Sequence, residues 1–150
     1  MIRFVTVGHV DSGKSTLCGQ ILLKCKYIDE RDFEKIKQKA EQDGMIKWAH
    51  SRILDVFEEE QLRGKTHEYN SIDFNYENKQ FRLIDTPGHR TYVRSMIEGI
   101  SSGVDVILVI ISMHDKEWRA GLEGGMLIEH IKLCYGAGAS RVILVANKMD

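Results

Sequence analysis

The sequence has little proline, few cysteines and no long apolar run. Proline occurs once in 150 residues, at Pro87. The three cysteines, Cys18, Cys25 and Cys134, form no C-x-x-C pair, and their odd number argues against the disulfide framework of a secreted protein. We therefore interpret them as reduced thiols of a cytoplasmic protein, and we expect Cys18 and Cys25 to pack along one helix.

The chain also lacks a membrane-spanning segment and an excess of charge of either sign. Its longest apolar run, residues 106–111, is far shorter than the ~20 residues of a membrane helix. The N-terminus has no cationic flank with a cleavage site of the kind found in secretory signal peptides. Lys and Arg total 21 against 22 Asp and Glu, which gives a net charge of -1. This balance argues against binding to naked DNA or RNA, because no broad basic field is available.

What remains is the composition of an ordinary globular domain, with 43% hydrophobic and 29% charged residues. A chain of this length usually forms one domain. Its strands are nearly continuous apolar runs that alternate with helices, which is typical of an α/β fold with a parallel sheet covered on both faces. We expect strands at 2–7, 104–111 and 141–146, a hairpin of 72–76 and 81–84 around a polar turn at 77–79, and helices at 14–24, 29–43, 46–57, about 91–101 and 122–135.

The predicted helix at 29–43 carries charges of both signs. Asp32 with Lys35 and Glu34 with Lys37 are opposite charges one turn apart. Such neighbours stabilise an exposed helix face. We therefore expect a solvated face here rather than a binding patch.

The first chemical motif lies between the first strand and the first helix. Residues 8–15 read GHVDSGKS and fit G-x-x-x-x-G-K-S. Gly8 and Gly13 allow backbone geometries that a Cβ would obstruct, so successive N–H groups can point at phosphate oxygens. Lys14 adds a positive charge, and Ser15 offers a hydroxyl to a Mg²⁺ ion that bridges the terminal phosphates. The motif predicts a phosphate-binding loop.

A second motif, DTPG at residues 85–88, follows the second hairpin strand. Asp85 lies at the end of a strand, where its carboxylate suits a position beside Mg²⁺. Gly88 can bring its N–H close to a γ-phosphate, and its torsional freedom allows the segment to rearrange when that phosphate leaves. Alone, this motif indicates only an ordinary turn. It indicates a nucleotide site because it follows a phosphate loop in the sequence.

The third motif, NKMD at residues 147–150, follows the last strand. Asp150 can accept two hydrogen bonds from guanine, and adenine offers no such pair of donors. A base that leaves buried polar groups unpaired is rejected. Asn147 can contact the base and brace the phosphate loop, while the aliphatic stem of Lys148 can lie on the ring.

With these three motifs in order, the chain resembles the GTP-binding domain of translational GTPases. GHVDSGKST at 8–16, DTPGH at 85–89 and NKMD at 147–150 are similar to the elongation factor 1-alpha branch, and the likeness covers essentially all 150 residues. RGKT at 63–66 is similar to the eukaryotic release factor 3 and ribosome-rescue subgroup. The resemblance implies a three-layer P-loop NTPase fold of the Ras-like G-domain type, with a mostly parallel sheet and one antiparallel edge strand.

The resemblance also implies a GTPase that uses GTP, GDP and Mg²⁺ and acts on the ribosome, with tRNA or a release or rescue factor as further partners. His89 would position the attacking water once large-subunit RNA engages it. Metal binding would involve Ser15, Thr66 and Asp85. Nucleotide binding would involve His9, Val10, Asp11, Ser12, Gly13, Lys14, Ser15, Thr16, Gly88, Asn147, Lys148 and Asp150.

The sequence departs from the family pattern at three places. Lys65 replaces an isoleucine that forms, with Val10, an apolar gate near the attacking water. Residues 124–130 read GGMLIEH where family members carry GGQTREH. The chain also ends at Asp150, before the family's later guanine-supporting loop and β-barrel domains. We therefore expect residues 1–150 to be a GTP-binding domain that is incomplete at its C-terminus.

Two other functions remain open from the sequence. The domain could hold nucleotide as a docking module with negligible turnover. It also shares DTPGH and NKMD with the GTPase subunit of a sulfate-activating enzyme, although that subunit resembles the RGKT segment less well.

Overall fold

The computed structural model describes residues 1–54, 71–86, 97, 100–101, 103–114, 117, 119 and 127–149. The predicted helix at 91–101 and the first part of the one at 122–135 lie mostly outside these residues. The elements are β1 (Ile2–Gly8), α1 (Lys14–Lys24), α2 (Glu30–Gln42), a 3₁₀ helix (Ile46–Trp48), β2 (Ser71–Tyr76), β3 (Lys79–Asp85), β4 (Val106–Ser112), α3 (Leu127–Gly136) and β5 (Arg141–Asn147). Among the helices described, none is long and apolar enough to cross a membrane.

The five strands form one sheet in the order β2-β3-β1-β4-β5. β1 runs parallel to β3 and β4, and β4 runs parallel to β5. β2 pairs antiparallel with β3 at the edge. The predicted α/β class, with a mostly parallel sheet and one antiparallel edge strand, is therefore confirmed. The parallel strands bring Gly8, Asp85, Ser112 and Asn147 to the same edge of the sheet.

The hairpin between β2 and β3 is tighter than expected. Glu77 and Asn78 have φ angles of 45° and 62°, and Lys79 already belongs to β3. Two central residues with positive φ are characteristic of a type I′ turn, which matches the twist of the flanking strands. The turn thus occupies two residues instead of the predicted three.

Apolar side chains cover the sheet on both faces and form two clusters. One contains strand residues Val5, Val7, Ile84, Ile107 and Val109 with Leu127 and Cys134 of α3. The other contains Phe4, Leu83, Ile72 and Phe74 of the strands with Cys18 and Leu22 of α1. Because side chains alternate along a strand, neighbouring residues of β1 enter opposite clusters. The described helices and the sheet therefore form three layers.

At β5, the sheet is not covered on both faces as expected. Val142, Ile143 and Leu144 expose 52%, 50% and 69% of their surface, although they form a continuous apolar run. β5 lies at the edge of the sheet and pairs with β4 on one side in the part of the chain that is described. The apolar run predicted the strand correctly and its burial wrongly.

The predicted helix at 46–57 is also interrupted. The 3₁₀ helix at Ile46–Trp48 ends in a turn, and helical geometry resumes at 51–54; residues 55–57 lie outside the described part. Ile53 is buried, whereas Ile46 remains 45% exposed. The turn places the His50 carbonyl against α1, at a point where a Cβ on Gly19 would overlap it. The close packing of the His50 backbone against Gly19 of α1 thus interrupts the helix that the apolar pattern predicted.

The charged face of α2 is confirmed. The Lys35 ammonium lies 2.6 Å from the Asp32 carboxylate, and Lys37 lies 3.4 Å from Glu34. Both pairs are exposed on the helix surface. Such pairs stabilise the helix only weakly, because water screens exposed charges.

Candidate nucleotide-binding site

Residues of the three motifs meet at the carboxyl edge of the sheet. β1 leads into the phosphate loop, β3 ends at Asp85, and β5 ends at Asn147. In open α/β sheets, ligands bind beyond this edge. Four of the residues expected in the site, Thr66, Gly88, His89 and Asp150, lie outside the described residues, as does Lys65 of the expected gate.

The phosphate loop contains two residues with left-handed backbone. Asp11 and Gly13 have φ angles of 64° and 91°, and the Ser12 N–H donates to the His9 carbonyl at 3.1 Å. Gly13 precedes the first residue of α1 without any side-chain cap. The first N–H groups of a helix have no partner within the helix, so they are available to an anion. The remaining loop residues are more open: His9 is half-buried, and Val10 is 38% exposed.

Lys14 is a buried cation anchored beneath this loop. Its Nζ donates to the carbonyl oxygens of Gly8 at 3.1 Å and His9 at 2.8 Å, and the residue is 7% exposed. An ammonium has three donors, so one remains for a ligand. Burial lowers the pKa of Lys14, while the charge of Asp85 opposes that shift. A bound phosphate would compensate the desolvated positive charge.

Inside the loop, the Ser12 hydroxyl provides a test of whether a polar ligand fits. Ser12 is 1% exposed, and its Oγ has no hydrogen-bond partner within the described structure. Buried polar groups without partners are rare in folded proteins. The loop therefore contains an unpaired polar atom beside Lys14, as expected where a phosphate is to be surrounded.

Asp85 and Ser15 form the oxygen pair that was expected near a metal. The Ser15 hydroxyl donates to Asp85 Oδ2 at 3.0 Å, and the Thr6 hydroxyl donates to Oδ1 at 2.7 Å. Burial raises the pKa of Asp85, and the hydrogen bonds from Thr6 and Ser15 oppose this rise. No group of three metal-ligating side chains occurs among the described residues. Oxygen donors in small number suit Mg²⁺, which keeps several of its waters.

Asn147 connects the third motif to the phosphate loop. Its Nδ2 donates to the Ser12 carbonyl at 2.8 Å, across 135 positions of the sequence. A Cβ on Gly13 would overlap the same amide nitrogen. The end of β5 therefore contacts the loop directly, and Gly13 is needed for the close approach as well as for its positive φ.

Lys148 makes an ion pair that the motif does not predict. Its Nζ lies 2.7 Å from the Glu117 carboxylate, and both side chains are about one-third exposed, at 35% and 32%. Hydrogen bonds from Lys148 and Ser112 lower the pKa of Glu117. Lys148 also has a φ of 57°, which turns the backbone after β5. Glu117 thus orients the lysine that was expected to lie on the base.

Thr6 and Cys18 contact Asp85, which the sequence motifs do not predict. Both are completely buried, and the Cys18 thiol lies 3.7 Å from Thr6 Oγ1 and 3.8 Å from Asp85 Oδ1. Cys18 and Cys25 both pack, as expected: Cys18 lies inside the cluster with Phe4 and Leu22, and the partly buried Cys25, just after α1, packs against it. Thr6 is a polar residue inside the apolar run of β1, and Cys18 lies one turn beyond Lys14 on α1. These two positions are the signal that could have identified the contact.

Known proteins are similar to this chain over nearly all of its length. The family described as elongation factor Tu GTP binding domain matches residues 1–150. The eukaryotic peptide chain release factor GTP-binding subunit of Schizosaccharomyces pombe is 41% identical over 99% of this chain and 22% of its own length. Elongation factor 1-alpha of Entamoeba histolytica is 37% identical over 99% of this chain and 34% of its own length.

The solved structures show the same fold. The GTPase-like domain of S. cerevisiae Ski7, bound to GTP, has a TM-score of 0.75 and 23% identity, over 99% of this chain and 34% of that one. The chain spans between 22% and 34% of the length of the two curated relatives. Because the family model matches residues 1–150, the chain belongs to the elongation factor Tu GTP binding domain family.

Proposed function

We propose that residues 1–150 form a GTP-binding domain that binds GTP and GDP with Mg²⁺ and hydrolyses GTP in a translation factor acting on the ribosome. The observation that carries this proposal is the contact between Asn147 Nδ2 and the Ser12 carbonyl at 2.8 Å. It joins the motif expected to read guanine to the loop expected to hold phosphate. One ligand with a base at one end and phosphates at the other could therefore touch both.

The described residues supply the phosphate end of this site. Lys14 retains one donor after its bonds to Gly8 and His9, and the first turn of α1 offers backbone N–H groups. Bound Mg²⁺ would neutralise charge on the terminal phosphates, with Ser15 and Asp85 as the protein oxygens beside it. Thr16 follows in the first turn of α1. Together these residues favour a nucleotide with at least two phosphates.

The remaining roles rest on motif and family. Asp150 would accept hydrogen bonds from guanine, and Lys148 would lie along the ring. Thr66 and Gly88 would close on the γ-phosphate, and His89 would orient the attacking water. Val10 would form one side of the gate, with Lys65 in place of the second apolar side chain.

Nucleotide choice is tested by titrating the protein with fluorescent GDP and fluorescent ADP in Mg²⁺ buffer. We expect GDP to bind at least ~100-fold more tightly, because adenine would leave the polar groups that read guanine unpaired. Equal affinity for the two nucleotides would contradict the guanine assignment.

Asp150→Asn provides a sharper test of the base reader. The substitution exchanges an acceptor for a donor, so the variant should prefer xanthosine diphosphate over GDP. The matched control is Asp105→Asn, because Asp105 lies just before β4 and pairs with Arg3 away from the site. If Asp150→Asn keeps the preference for GDP, Asp150 does not read the base.

A measurement of GTP turnover separates an enzyme from a docking module that only holds nucleotide. Lys65 favours the docking module, because it replaces an apolar residue of the gate near the attacking water. The experiment is single-turnover GTP hydrolysis with and without ribosomes, for the wild type and His89→Ala. We expect ribosomes to accelerate the wild type and His89→Ala to lose that acceleration. Bound GTP that remains intact with ribosomes would favour docking, with a release or rescue factor or tRNA as partner.

A further inference from the structure

Both oxygens of the Asp85 carboxylate are held, and they are held by different parts of the protein. Oδ2 accepts from Ser15 at 3.0 Å, on the side of the phosphate loop. Oδ1 accepts from Thr6 at 2.7 Å, and the Cys18 thiol lies 3.8 Å from the same oxygen. One oxygen thus faces the expected metal position, while the other faces the protein interior.

The donors on the interior side have few alternatives. Thr6 has one hydroxyl proton, and its acceptors are Asp85 Oδ1 at 2.7 Å and the Ile84 carbonyl at 3.4 Å. The shorter distance favours the carboxylate, which is also the stronger acceptor. Thr6 and Cys18 are both at 0% exposure, so water does not compete for their polar atoms. The Cys18 proton reaches Thr6 Oγ1 or Asp85 Oδ1, and supports the same oxygen in either case.

The backbone places Thr6 for this contact. β1 and β3 run parallel, and Thr6 is the register partner of Asp85. The Thr86 hydroxyl donates in turn to the Thr6 carbonyl. The two strands are thereby tied together at the point where the carboxylate leaves the sheet, and the position of Thr6 Oγ1 relative to Asp85 is determined by rigid elements.

We propose that Thr6, supported by Cys18, is a positioning residue that holds the Asp85 carboxylate with Oδ2 toward Ser15 and the Mg²⁺ position. The proposal rests on the proposed function, because it concerns the affinity for Mg²⁺ in the nucleotide complex. Without the Thr6 hydroxyl, Oδ1 loses its short hydrogen bond and the carboxylate can rotate away. Partners of this kind behind a metal-binding group typically change metal affinity by about 10-fold or more.

The experiment measures the rate of fluorescent GDP release as a function of Mg²⁺ concentration, for wild type, Thr6→Val and Thr6→Ser. Valine has the shape of threonine without the hydroxyl, and serine keeps the hydroxyl. We expect the Mg²⁺ midpoint of Thr6→Val to rise about 10-fold and that of Thr6→Ser to stay near the wild type. Cys18→Ala should raise the midpoint by a smaller factor, roughly two, because a thiol is a weak donor.

The control for lost packing is Val5→Ala. Val5 lies on the same strand but enters the cluster on the opposite face of the sheet. This variant should melt at a lower temperature while its Mg²⁺ midpoint remains unchanged. If Thr6→Val fails to fold, Thr6→Ser and Thr6→Ala are compared, since both lack the methyl group and differ in the hydroxyl alone.

Each outcome is decisive. An unchanged Mg²⁺ midpoint in Thr6→Val, or equal midpoints in the Ser and Ala variants, would overturn the positioning role while the proposed function stands. A wild type that fails to bind GDP in saturating Mg²⁺ would overturn the proposed function, and the role of Thr6 with it. A higher midpoint in Thr6→Val, with normal values for Thr6→Ser and Val5→Ala, would support the inference.

Discussion

At Gly13, two independent features of the structure exclude a larger residue. Its φ is +91°, and a Cβ would overlap the Asn147 amide nitrogen. A non-glycine residue with positive φ costs on the order of 1–3 kcal/mol, and relief of the overlap would displace the phosphate loop or the end of β5. We therefore expect Gly13→Ala to weaken GDP binding by about 10-fold or more, as measured by fluorescent GDP titration.

Gly44→Ala is the matched control for this prediction. Gly44 has a φ of +70° but open space around the position of a Cβ. Its substitution should cost about 1 kcal/mol of unfolding free energy and leave the affinity for GDP unchanged. Normal GDP binding by Gly13→Ala would show that the contact with Asn147 does not shape the site.

The three cysteines should differ in reactivity. Cys18 and Cys134 are buried, and burial raises the pKa of the Cys134 thiol to about 11. A thiol with such a pKa is about one-thousandth thiolate at pH 8, and the thiolate is the reactive form. Cys25 is partly exposed, so brief iodoacetamide treatment of native protein at pH 8 should label it first, as read by mass spectrometry.

Denatured protein is the control for this labelling. Unfolding should make all three cysteines react at similar rates. Native labelling of Cys18 as fast as that of Cys25 would contradict its buried position beside Asp85.

At the scale of elements, the β2–β3 hairpin carries an ion pair across its strands. Arg82 donates to both Asp73 oxygens, at 2.6 and 2.7 Å, and these two residues are register partners. The hydrogen bonds from Arg82 lower the pKa of Asp73. The stabilisation is therefore present above the ordinary Asp pKa of about 3.9 and is lost as the pH falls through the lower folded value.

Asp73→Asn should reduce the unfolding free energy at pH 7 by about 0.5 kcal/mol, a small value because both side chains are partly in water. Urea unfolding of the two proteins between pH 7 and pH 3 measures the difference. The gap should narrow as the pH falls below the ordinary Asp pKa, because protonation then begins to remove the ion pair of the wild type. A gap that is independent of pH would mean that the ion pair contributes nothing and that the substituted amide acts in another way.

At the scale of the whole molecule, Asn147 joins two ends of the chain that are 135 positions apart. A ligand that binds the folded state raises its melting temperature. Asn147→Ala removes the hydrogen bond to the phosphate loop, which is worth about 1 kcal/mol. GDP affinity should therefore fall about fivefold, and the rise in melting temperature on adding GDP should shrink.

Asn75→Ala is the comparison variant, because Asn75 is exposed on β2, away from the carboxyl edge of the sheet. It should keep the full thermal response to GDP. An equal response in the two variants would show that the contact between β5 and the loop is unnecessary for nucleotide binding.

Contiguous patterns in the sequence were sufficient to predict several features of the protein. Apolar runs predicted the strands, a glycine pattern predicted the positions before Lys14 where a Cβ would be obstructed, and opposite charges one turn apart predicted the exposed face of α2. Each of these predictions depends on residues that are close together in the sequence, or on the periodic pattern of side chains within one helix or strand. The motifs also indicated the family, because their residue types and order are specific even where the residues themselves lie outside the described structure.

Which distant side chains touch was decided by tertiary packing. The contacts of Thr6 and Cys18 with Asp85, and of Lys148 with Glu117, join positions 79, 67 and 31 residues apart. Hydrogen bonds need placement to within a few tenths of an ångström of about 2.9 Å, and strand register and helix packing set that placement. Tertiary packing also decided the exposure of β5 and the interruption of the helix before Ile53. An apolar residue is buried only where another element packs against it.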